Sequence, residues 1–435
     1  MFAKRMRYAT GAVAASALFL TAACSGGGSS SDNSIDKANP TGTVQFWTRS
    51  VLGDWAKQVV TDFNQSHKDL QVKLTSITDD QLPTKLAAAF RTDNVPDLVV
   101  VDPGQAVNYI TSGNFLDITK QINAFPDKSA IAGPQLEQAK WQGAYYGTPA
   151  FLDASVLLYN KTLFTKAGIS GPPKNLDEML ADAKAVKALG GDTYGITFGG
   201  ACAGCLAFTA LPNFWVGNDG SLIRGDDLDS QKAGVADNPG LKATLEFYKE
   251  VWANGLAPKG AQSENGTTWN KDFQGGNIGM APAGLGSYTS APPDVKANLA
   301  VAPLPTVDGG ISTYIGGGNF GISKKAKNPA GAWEFIQYAL SKEKQASLPE
   351  TGFAPVRSDL LNDASFTSKY AYVLPEIQAA QTGFGLRTKY QAALFNDSTG
   401  PWLTMFQKAV FQGDVDGAIK DGQSGFTQVL SGNGR

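Results

Sequence analysis

One histidine and three cysteines limit the nucleophilic and metal-binding chemistry open to this chain of 435 residues. His67 lies in the polar stretch 64–69, directly after a predicted helix, where we expect a surface turn residue. Catalytic triads and cysteine–histidine pairs need an imidazole beside the nucleophile, so a lone surface histidine argues against both. The same shortage argues against a histidine metal site, and no metal is predicted.

Cys202 and Cys205 stand close together in a glycine-rich Cys-Ala-Gly-Cys segment. A structural zinc ion would need about four ligands, and a redox-active pair would need a thioredoxin-like setting. A small structural disulfide in an oxidising compartment is the preferred interpretation. The loop it closes is so short that its entropic contribution is small, so we expect it to fix the shape of that loop.

A formal G-x-G-x-x-G pattern occurs at residues 316–321. In a dinucleotide site a helix follows at once, with its N-terminus facing the pyrophosphate. Here the next predicted helix begins about seven residues too late, at Asn328-Pro329. The pattern therefore predicts no nucleotide site, and we predict no cofactor.

Strands and helices alternate in the first part of the chain. The patterns predict strands at 43–48, 72–77 and 97–101, with helices at 54–64 and 83–91 between them. The last of these strands is apolar on both faces, which is typical of a parallel sheet covered by helices. This order predicts an α/β fold.

The N-terminus has the layout of an export signal, with basic Lys4, Arg5 and Arg7, an apolar run at 9–20 and then Cys24. It resembles a bacterial lipoprotein signal, which predicts a signal peptide at 1–23, lipidation of Cys24 and a flexible tether at 24–41. A cleaved signal without lipid is the alternative. A transmembrane anchor is disfavoured, because twelve apolar residues fall short of the about 20 that a spanning helix needs.

Composition is that of a soluble globular protein, with 42% hydrophobic and 17% charged residues. A net charge of −2 without a basic block argues against nucleic acid as a partner. The body that starts near Gly42 is too long for one ordinary core, which favours two lobes.

Several short motifs along the body resemble, in the right order, those of extracellular solute-binding proteins of the maltose-binding type. They include an Asn-Val-Pro-Asp-Leu-Val-Val-Val-Asp segment and a Gly-Ala-Tyr-Tyr-Gly-Thr-Pro segment. Their positions are 94–102, 113–119, 143–149, 158–164, 273–280, 302–305, 316–318, 328–336 and 350–355. Each motif alone is weak, but their order is specific, and the resemblance covers about 43–430.

The resemblance implies a two-lobe periplasmic-binding-protein fold, with strands that cross between the lobes and a central ligand cleft. Lobe 1 would be 42–149 plus 317–361, and lobe 2 would be 150–316 plus 362–435. Hinge residues are expected at these crossings, namely Pro149, Gly316, Gly317 and Gly318. The closed, monomeric receptor would be presented to ABC permease subunits, held to the membrane by its lipid.

Neutral sugars pack C–H faces on aromatic rings, and their hydroxyls pair with carboxylates and guanidinium groups. In the first lobe, Trp47 and Arg49 end the first predicted strand, and Asp102 ends the third. Asp153 follows the first crossing, where the resemblance implies an acid that accepts hydroxyl hydrogen bonds. Trp47 could instead be core, and Asp102 could instead cap a helix.

In the second lobe, the resemblance implies aromatic contacts at Trp215 and Trp402. Trp215 could instead belong to that lobe's core. The tryptophan that maltose-binding relatives carry after Met280 is absent, and Tyr288 is the only nearby aromatic residue. Arg357 and Arg387 are looser candidates.

These features together predict a lipid-anchored receptor of an ABC importer, on the outer face of the cell membrane. It would bind a mono- or oligosaccharide and catalyse nothing. One alternative is the same fold with a different polar ligand, such as a glycerol-phosphate compound. Another is a secreted glycoside hydrolase in which Asp102 and Asp153 act as paired carboxylates.

Overall fold

The computed structural model of this protein describes residues 34–79, 81–215 and 221–432. The predicted signal, Cys24 and most of the predicted tether lie outside the described residues. The last part of that tether contacts the body, because Asp36 accepts hydrogen bonds from Lys120 and Gln121. Within the described residues, no helix combines the length and the apolar character needed to cross a membrane.

One nine-stranded sheet runs through the described body. The strands of the described residues are β1 (Gly42–Arg49), β2 (Leu70–Ile77), β3 (Leu98–Val101), β4 (Lys140–Trp141), β5 (Ala144–Tyr145), β6 (Thr148–Asn160), β7 (Tyr194–Ile196), β8 (Ile223–Arg224), β9 (Lys232–Ala233), β10 (Ile278–Gly284), β11 (Leu299–Pro305), β12 (Ile311–Ser312) and β13 (Ile315–Ile322). The large sheet has the strand order β12-β11-β6-β13-β3-β1-β2, and β10 pairs with both β6 and β7. Two small sheets, β4-β5 and β8-β9, are separate from it.

Helices cover the sheet, as the α/β pattern predicts. They are α1 (Gly53–Ser66), α2 (Leu82–Thr92), α3 (Pro103–Thr111), α4 (Thr119–Ala124), α5 (Gly133–Gln138), α6 (Lys161–Lys166), α7 (Leu176–Lys187), α8 (Ala203–Ala210), α9 (Pro239–Ala253), α10 (Trp269–Gln274), α11 (Gly286–Thr289), α12 (Pro293–Lys296), α13 (Pro329–Ala339), α14 (Lys342–Gln345), α15 (Ala364–Lys369), α16 (Leu374–Ala379), α17 (Pro401–Phe411) and α18 (Val415–Leu430).

The first three strands form the parallel part of the sheet. β1 pairs in parallel with β2 on one side and with β3 on the other. All four residues of β3 are buried, which explains its continuous apolar sequence. Side chains of β1 alternate in burial, so that Trp47 and Arg49 share the less buried face.

Two large hydrophobic clusters form the core. We use "first lobe" for the elements packed around the cluster that contains β1, α1 and α13. We use "second lobe" for those around the cluster that contains α7, α8, α9, α17 and α18. Because the sheet continues from one to the other, the described residues form one compact unit.

β6 and β13 connect the lobes. The first part of β6, residues 148–154, pairs with β13, and its later part pairs with β10 and β11. The predicted hinge residues lie in these two strands. Gly317 has a φ of +104°, and a Cβ there would lie 2.2 Å from the carbonyl oxygen of Phe151, so only glycine fits.

The segment after residue 361 packs in a different lobe from the one that the sequence predicts. Side chains of α15 and α16, including Phe366 and Ile377, belong to the first hydrophobic cluster rather than the second. Leu386 is the first buried residue of this segment that joins the second cluster. The chain therefore returns to the second lobe later than the sequence suggests.

Candidate functional site

A cavity of about 280 Å³ lies between the lobes, and we call it the cleft cavity. The first lobe and the second lobe contribute about equally to its wall. The lining residues are Arg49, Asp79, Leu82, Asp102, Gly104, Gln105, Asn108, Gly204, Ala207, Phe208, Tyr314, Leu386, Gln391, Ala392 and Asn396.

Three charged side chains converge on this cavity from the carboxyl ends of three neighbouring strands. Arg49 ends β1, Asp79 follows β2, and Asp102 follows β3. Parallel strands bring their carboxyl ends to one edge of a sheet, and ligands of α/β proteins bind there. The predicted Arg49 and Asp102 are therefore brought together, with Asp79 beside them.

Arg49 is the centre of this group. Its Nη2 and Nε donate to Asp79 Oδ2 at 2.6 and 3.2 Å, and its Nη1 donates to the carbonyl oxygen of Gly317 at 2.6 Å. Nη1 also lies 4.0 Å from Asp102 Oδ2. Burial works to lower the pKa of Arg49, but Asp102 and Asp79 raise it above its usual value. The guanidinium of Arg49 thus links Asp79, which lines the cleft cavity, to the backbone of the crossing strand β13 at Gly317.

Asp102 both caps a helix, as one of its two sequence interpretations predicts, and lines the cleft cavity. Its Oδ1 accepts a hydrogen bond from the Gly104 backbone at 2.9 Å, at the start of α3. Burial raises the pKa of the Asp102 carboxyl, and the charge of Arg49 opposes that shift. Its Oδ2 lies 4.0 Å from Nη1 of Arg49.

Asp153 lies on the crossing strand β6, opposite Gly316. Burial raises its pKa to about 6, Asp102 adds to the shift, and Arg49 opposes it. It is not among the lining residues of the cleft cavity. A Cβ on Gly284 would lie 3.0 Å from Asp153 Oδ1 and 3.4 Å from Phe208, which places the carboxylate next to a lining ring.

Aromatic and amide side chains complete the cleft cavity, and the sequence analysis missed them. Phe208 on α8 and Tyr314 before β13 meet edge to face, with ring centroids 5.7 Å apart. Gln391 donates from Nε2 to the Tyr314 hydroxyl at 3.2 Å. Asp79 could have been found by the strand-end argument, whereas the other three residues carry no sequence signal that we can identify.

Trp215 lies in a second cavity, of about 400 Å³, which we call the side cavity. The ring of Trp215 stacks on Phe384, with centroids 4.3 Å apart and planes 9° apart. The cavity is lined by Trp215, Ser221, Ile223, Arg224, Gly225, Asp226, Gln231, Phe384, Gly385, Leu386 and Arg387. Leu386 lines both cavities.

Three predicted aromatic contacts lie elsewhere. Trp402 is 0% exposed in the core of the second lobe, so its indole face is covered by protein and the expected stacking role is wrong for this structure. Trp47 packs against a hydrophobic cluster beneath α2 and lines neither cavity. Tyr288 stacks on Tyr372 at 4.9 Å and is also outside both cavities.

Cys202 and Cys205 are joined by a disulfide at the start of α8. A Cβ on Gly266 would lie 3.0 Å from one sulfur and 3.2 Å from the other, so the loop at 266 packs on the bond. The next turn of α8 carries Phe208 into the cleft cavity. The disulfide therefore fixes the start of a helix that lines the site.

Residues 58–373 match the family model described as bacterial extracellular solute-binding protein. The chain is similar to the diacetylchitobiose binding protein DasA of Streptomyces coelicolor, with 28% identity over 75% of this chain and 76% of the relative. It is also similar to the sn-glycerol-3-phosphate-binding periplasmic protein UgpB of Agrobacterium fabrum, with 25% identity over 72% of this chain and 74% of the relative.

Among solved structures, the sugar-binding protein MalE from Xanthomonas citri superposes with a TM-score of 0.80. The match covers 90% of this chain and 98% of that one at 21% identity. Similarity at this level concerns the fold. It confirms the two-lobe periplasmic-binding-protein architecture predicted from the sequence.

Proposed function

Because the chain belongs to the bacterial extracellular solute-binding proteins, we propose that it is the substrate-binding component of an ABC importer and takes up a mono- or oligosaccharide. The cleft cavity is the binding site in this proposal. Its chemistry fits a neutral polyol, because Asp79 and Asp102 offer acceptors, Arg49 offers donors, and Phe208 and Tyr314 offer ring faces.

The observation that carries the proposal is the convergence of polar side chains from both lobes on one cavity. Arg49 and Asp102 come from the first lobe, and Gln391 and Asn396 come from the second. A ligand held by both sides stabilises the closed arrangement of the lobes, which is the form that a permease would recognise. We propose Gly316, Gly317 and Gly318, with Pro149, as the hinge.

A glycerol-phosphate ligand is the second candidate, since UgpB of Agrobacterium fabrum is a relative. The charge balance of the cleft cavity disfavours it. Arg49 is already paired with Asp79 and faces Asp102, so the described lining carries two carboxylates for one guanidinium. A phosphate would meet net repulsion there.

A thermal-shift screen of the purified mature chain tests the ligand class. The panel contains neutral mono-, di- and trisaccharides, polyols, and sn-glycerol 3-phosphate. A ligand at about 100 times its Kd adds about 2.7 kcal/mol to the free energy of unfolding, so a binder raises the melting temperature. We expect neutral sugars to raise the melting temperature. We also expect the sugars to be chemically unchanged after prolonged incubation with the protein. A response to sn-glycerol 3-phosphate alone, or turnover of an oligosaccharide, would overturn the proposal.

We also propose that Cys24 carries a lipid and that the monomeric body is tethered to the outer face of the membrane. The support is the sequence of the N-terminal 24 residues. Fractionation of cells tests it: the wild-type chain should sediment with membranes and dissolve in detergent. The Cys24→Ala chain should lose the lipid mass, and an unchanged mass would contradict lipidation.

A further inference from the structure

The side cavity adjoins the cleft cavity. Leu386 lines both. A run of four rings connects them: Phe208 and Tyr314 in the cleft cavity, then Phe384 and Trp215 in the side cavity. Successive ring centroids are 5.7, 5.8 and 4.3 Å apart. One ligand could therefore contact aromatic surface along both cavities.

The side cavity also lies at the boundary between the lobes. Arg387, which lines it, donates from Nη2 to the backbone oxygen of Lys140 in the first lobe at 2.9 Å. A Cβ on the lining residue Gly385 would lie 1.9 Å from the side chain of Gln138, also in the first lobe. A ligand that extends from the cleft cavity would thus stay within the interlobe groove.

Gln231, which lines the side cavity, has one buried polar atom without a partner among the described residues. Gln231 is 9% exposed, and its Nε2 donates to the backbone oxygens of Gly225 and Arg387. Its Oε1 is buried and accepts no hydrogen bond from the part of the chain that the structure describes. An unsatisfied buried acceptor costs free energy, and a ligand hydroxyl could satisfy it.

Polar groups around the stacked rings suit a sugar ring. The side cavity offers guanidinium donors from Arg224 and Arg387 and a carboxylate acceptor from Asp226, beside the indole of Trp215. Each of the two cavities is near the lower end of the about 300–1,000 Å³ that small-molecule sites span, so each has room for a small part of a ligand.

We propose that the side cavity is a second subsite, which holds the next ring of an oligosaccharide whose first ring occupies the cleft cavity. This inference rests on the proposed function and makes it more specific, since it assigns an oligosaccharide rather than a monosaccharide as the substrate. Trp215 and Gln231 are the specificity-determining residues for the added ring.

Calorimetric titration against graded sugars tests the subsite. The probes are glucose, maltose and maltotriose; N-acetylglucosamine and its β-1,4 dimer and trimer; and xylose, xylobiose and xylotriose. In the series that binds, affinity should rise at least about tenfold from the monosaccharide to the longer sugars, or about 1.4 kcal/mol. A series in which a longer sugar binds and its monosaccharide gives no binding heat would support the subsite in the same way.

Variants separate the two cavities. Trp215→Ala should remove most of the gain with length and change monosaccharide affinity less than about twofold. Trp252→Ala is the matched control, because that tryptophan is also partly buried in the second lobe but lines neither cavity. Should Trp215→Ala fail to fold, Arg224→Gln replaces it, since Arg224 is exposed and its loss should lower only the affinity for longer sugars.

The outcomes distinguish the inference from the proposed function. Equal affinity for short and long sugars, or equal loss for both in Trp215→Ala, overturns the subsite and leaves a sugar receptor. Binding to no sugar in any series overturns the proposed function itself.

Discussion

The cleft cavity and the side cavity adjoin each other, but they are lined by different kinds of side chain. The cleft cavity is lined by both lobes and centres on an ion-paired guanidinium, Arg49 with Asp79. The described lining of the side cavity comes from residues 215–231 and 384–387, and its centre is the stacked pair Trp215 and Phe384.

This difference assigns different energetic roles to the two cavities. A ligand in the cleft cavity bridges the lobes, so its binding free energy includes the stabilisation of the closed arrangement. A ring in the side cavity adds aromatic contact and a few hydrogen bonds at a surface that is mostly one lobe. We therefore expect the cleft cavity to control whether binding occurs, and the side cavity to control how the affinity depends on ligand length.

The largest expected effect separates the tryptophan of the side cavity from the tryptophan of the core. Trp402→Ala should lower the free energy of unfolding by about 3–5 kcal/mol, because it leaves a cavity in the second lobe. Urea unfolding followed by circular dichroism measures the change, and Trp402→Phe is the conservative control.

Trp215→Ala provides the opposite pattern. It should cost far less stability, because Trp215 is only partly buried, yet it should weaken binding to long sugars. If Trp402→Ala left stability intact and abolished binding instead, Trp402 would be a ligand contact and the distinction between the two residues would be wrong.

These two tryptophans also show what the sequence can predict about this protein. Alternating strands and helices, and the Asn-Pro start of α13, follow from local patterns, and the structure confirms them with Asn328 accepting from the Gly331 backbone. Local patterns do not tell which side of α17 faces a cleft. The sequence places Trp402 at the start of a helix, and the structure places it in the first turn of α17, where packing against the rest of the second lobe buries it.

Side chains at strand ends were more predictable than side chains on helices and late loops. Arg49 and Asp102 follow from strand order alone, because parallel strands deliver their carboxyl ends to one edge. Phe208, Tyr314 and Gln391 reach the same cavity only through the arrangement of the second lobe against the first. That arrangement is a long-range property, which spacing along the chain does not encode.

Asp153 should give the next largest effect, through pH. Its folded-state pKa is raised to about 6, above the value near 3.8 of an unperturbed carboxyl, mainly by burial and secondarily by Asp102. Protonated Asp153 therefore favours the folded state. This contribution is fully present below about pH 4 and is lost as the pH rises through 6.

Asp153→Asn should accordingly stabilise the chain at pH 7 by at most about 3 kcal/mol, at 1.36 kcal/mol per unit of pKa shift. The difference from wild type should vanish near pH 4. Urea unfolding at pH 4, 5, 6 and 7 measures it, with the exposed Asp294→Asn as the control. A difference that stays constant with pH would show that Asp153 is not ionising within this charged group.

Arg49→Met tests the claim that the cleft cavity controls binding. The substitution removes the guanidinium and leaves Asp79 and Asp102 without their cation. Loss of a hydrogen bond from a charged donor to the ligand costs about 1.5–3 kcal/mol, so affinity should fall by at least about tenfold for sugars of every length.

Calorimetry with the sugars of the graded series measures the Arg49→Met effect. Arg91→Met is the matched control, because Arg91 is exposed on α2. A loss confined to the longer sugars would reverse the roles that we assign to the two cavities.

The smallest effect concerns the contact between the lobes at the cleft cavity. A Cβ on Gly104 would lie 1.7 Å from Gln391 Oε1, so Gly104→Ala must push the second-lobe amide away from the start of α3. Because the far end of a flexible side chain can shift, the cost should be about 1 kcal/mol, or about fivefold in affinity.

Gln391→Ala in the same chain should relieve the clash, so the double variant should bind as the Gln391→Ala single variant does. If the two substitutions instead acted additively, the lobes would not meet at this point when ligand is bound, and the cleft cavity would owe its affinity to one lobe.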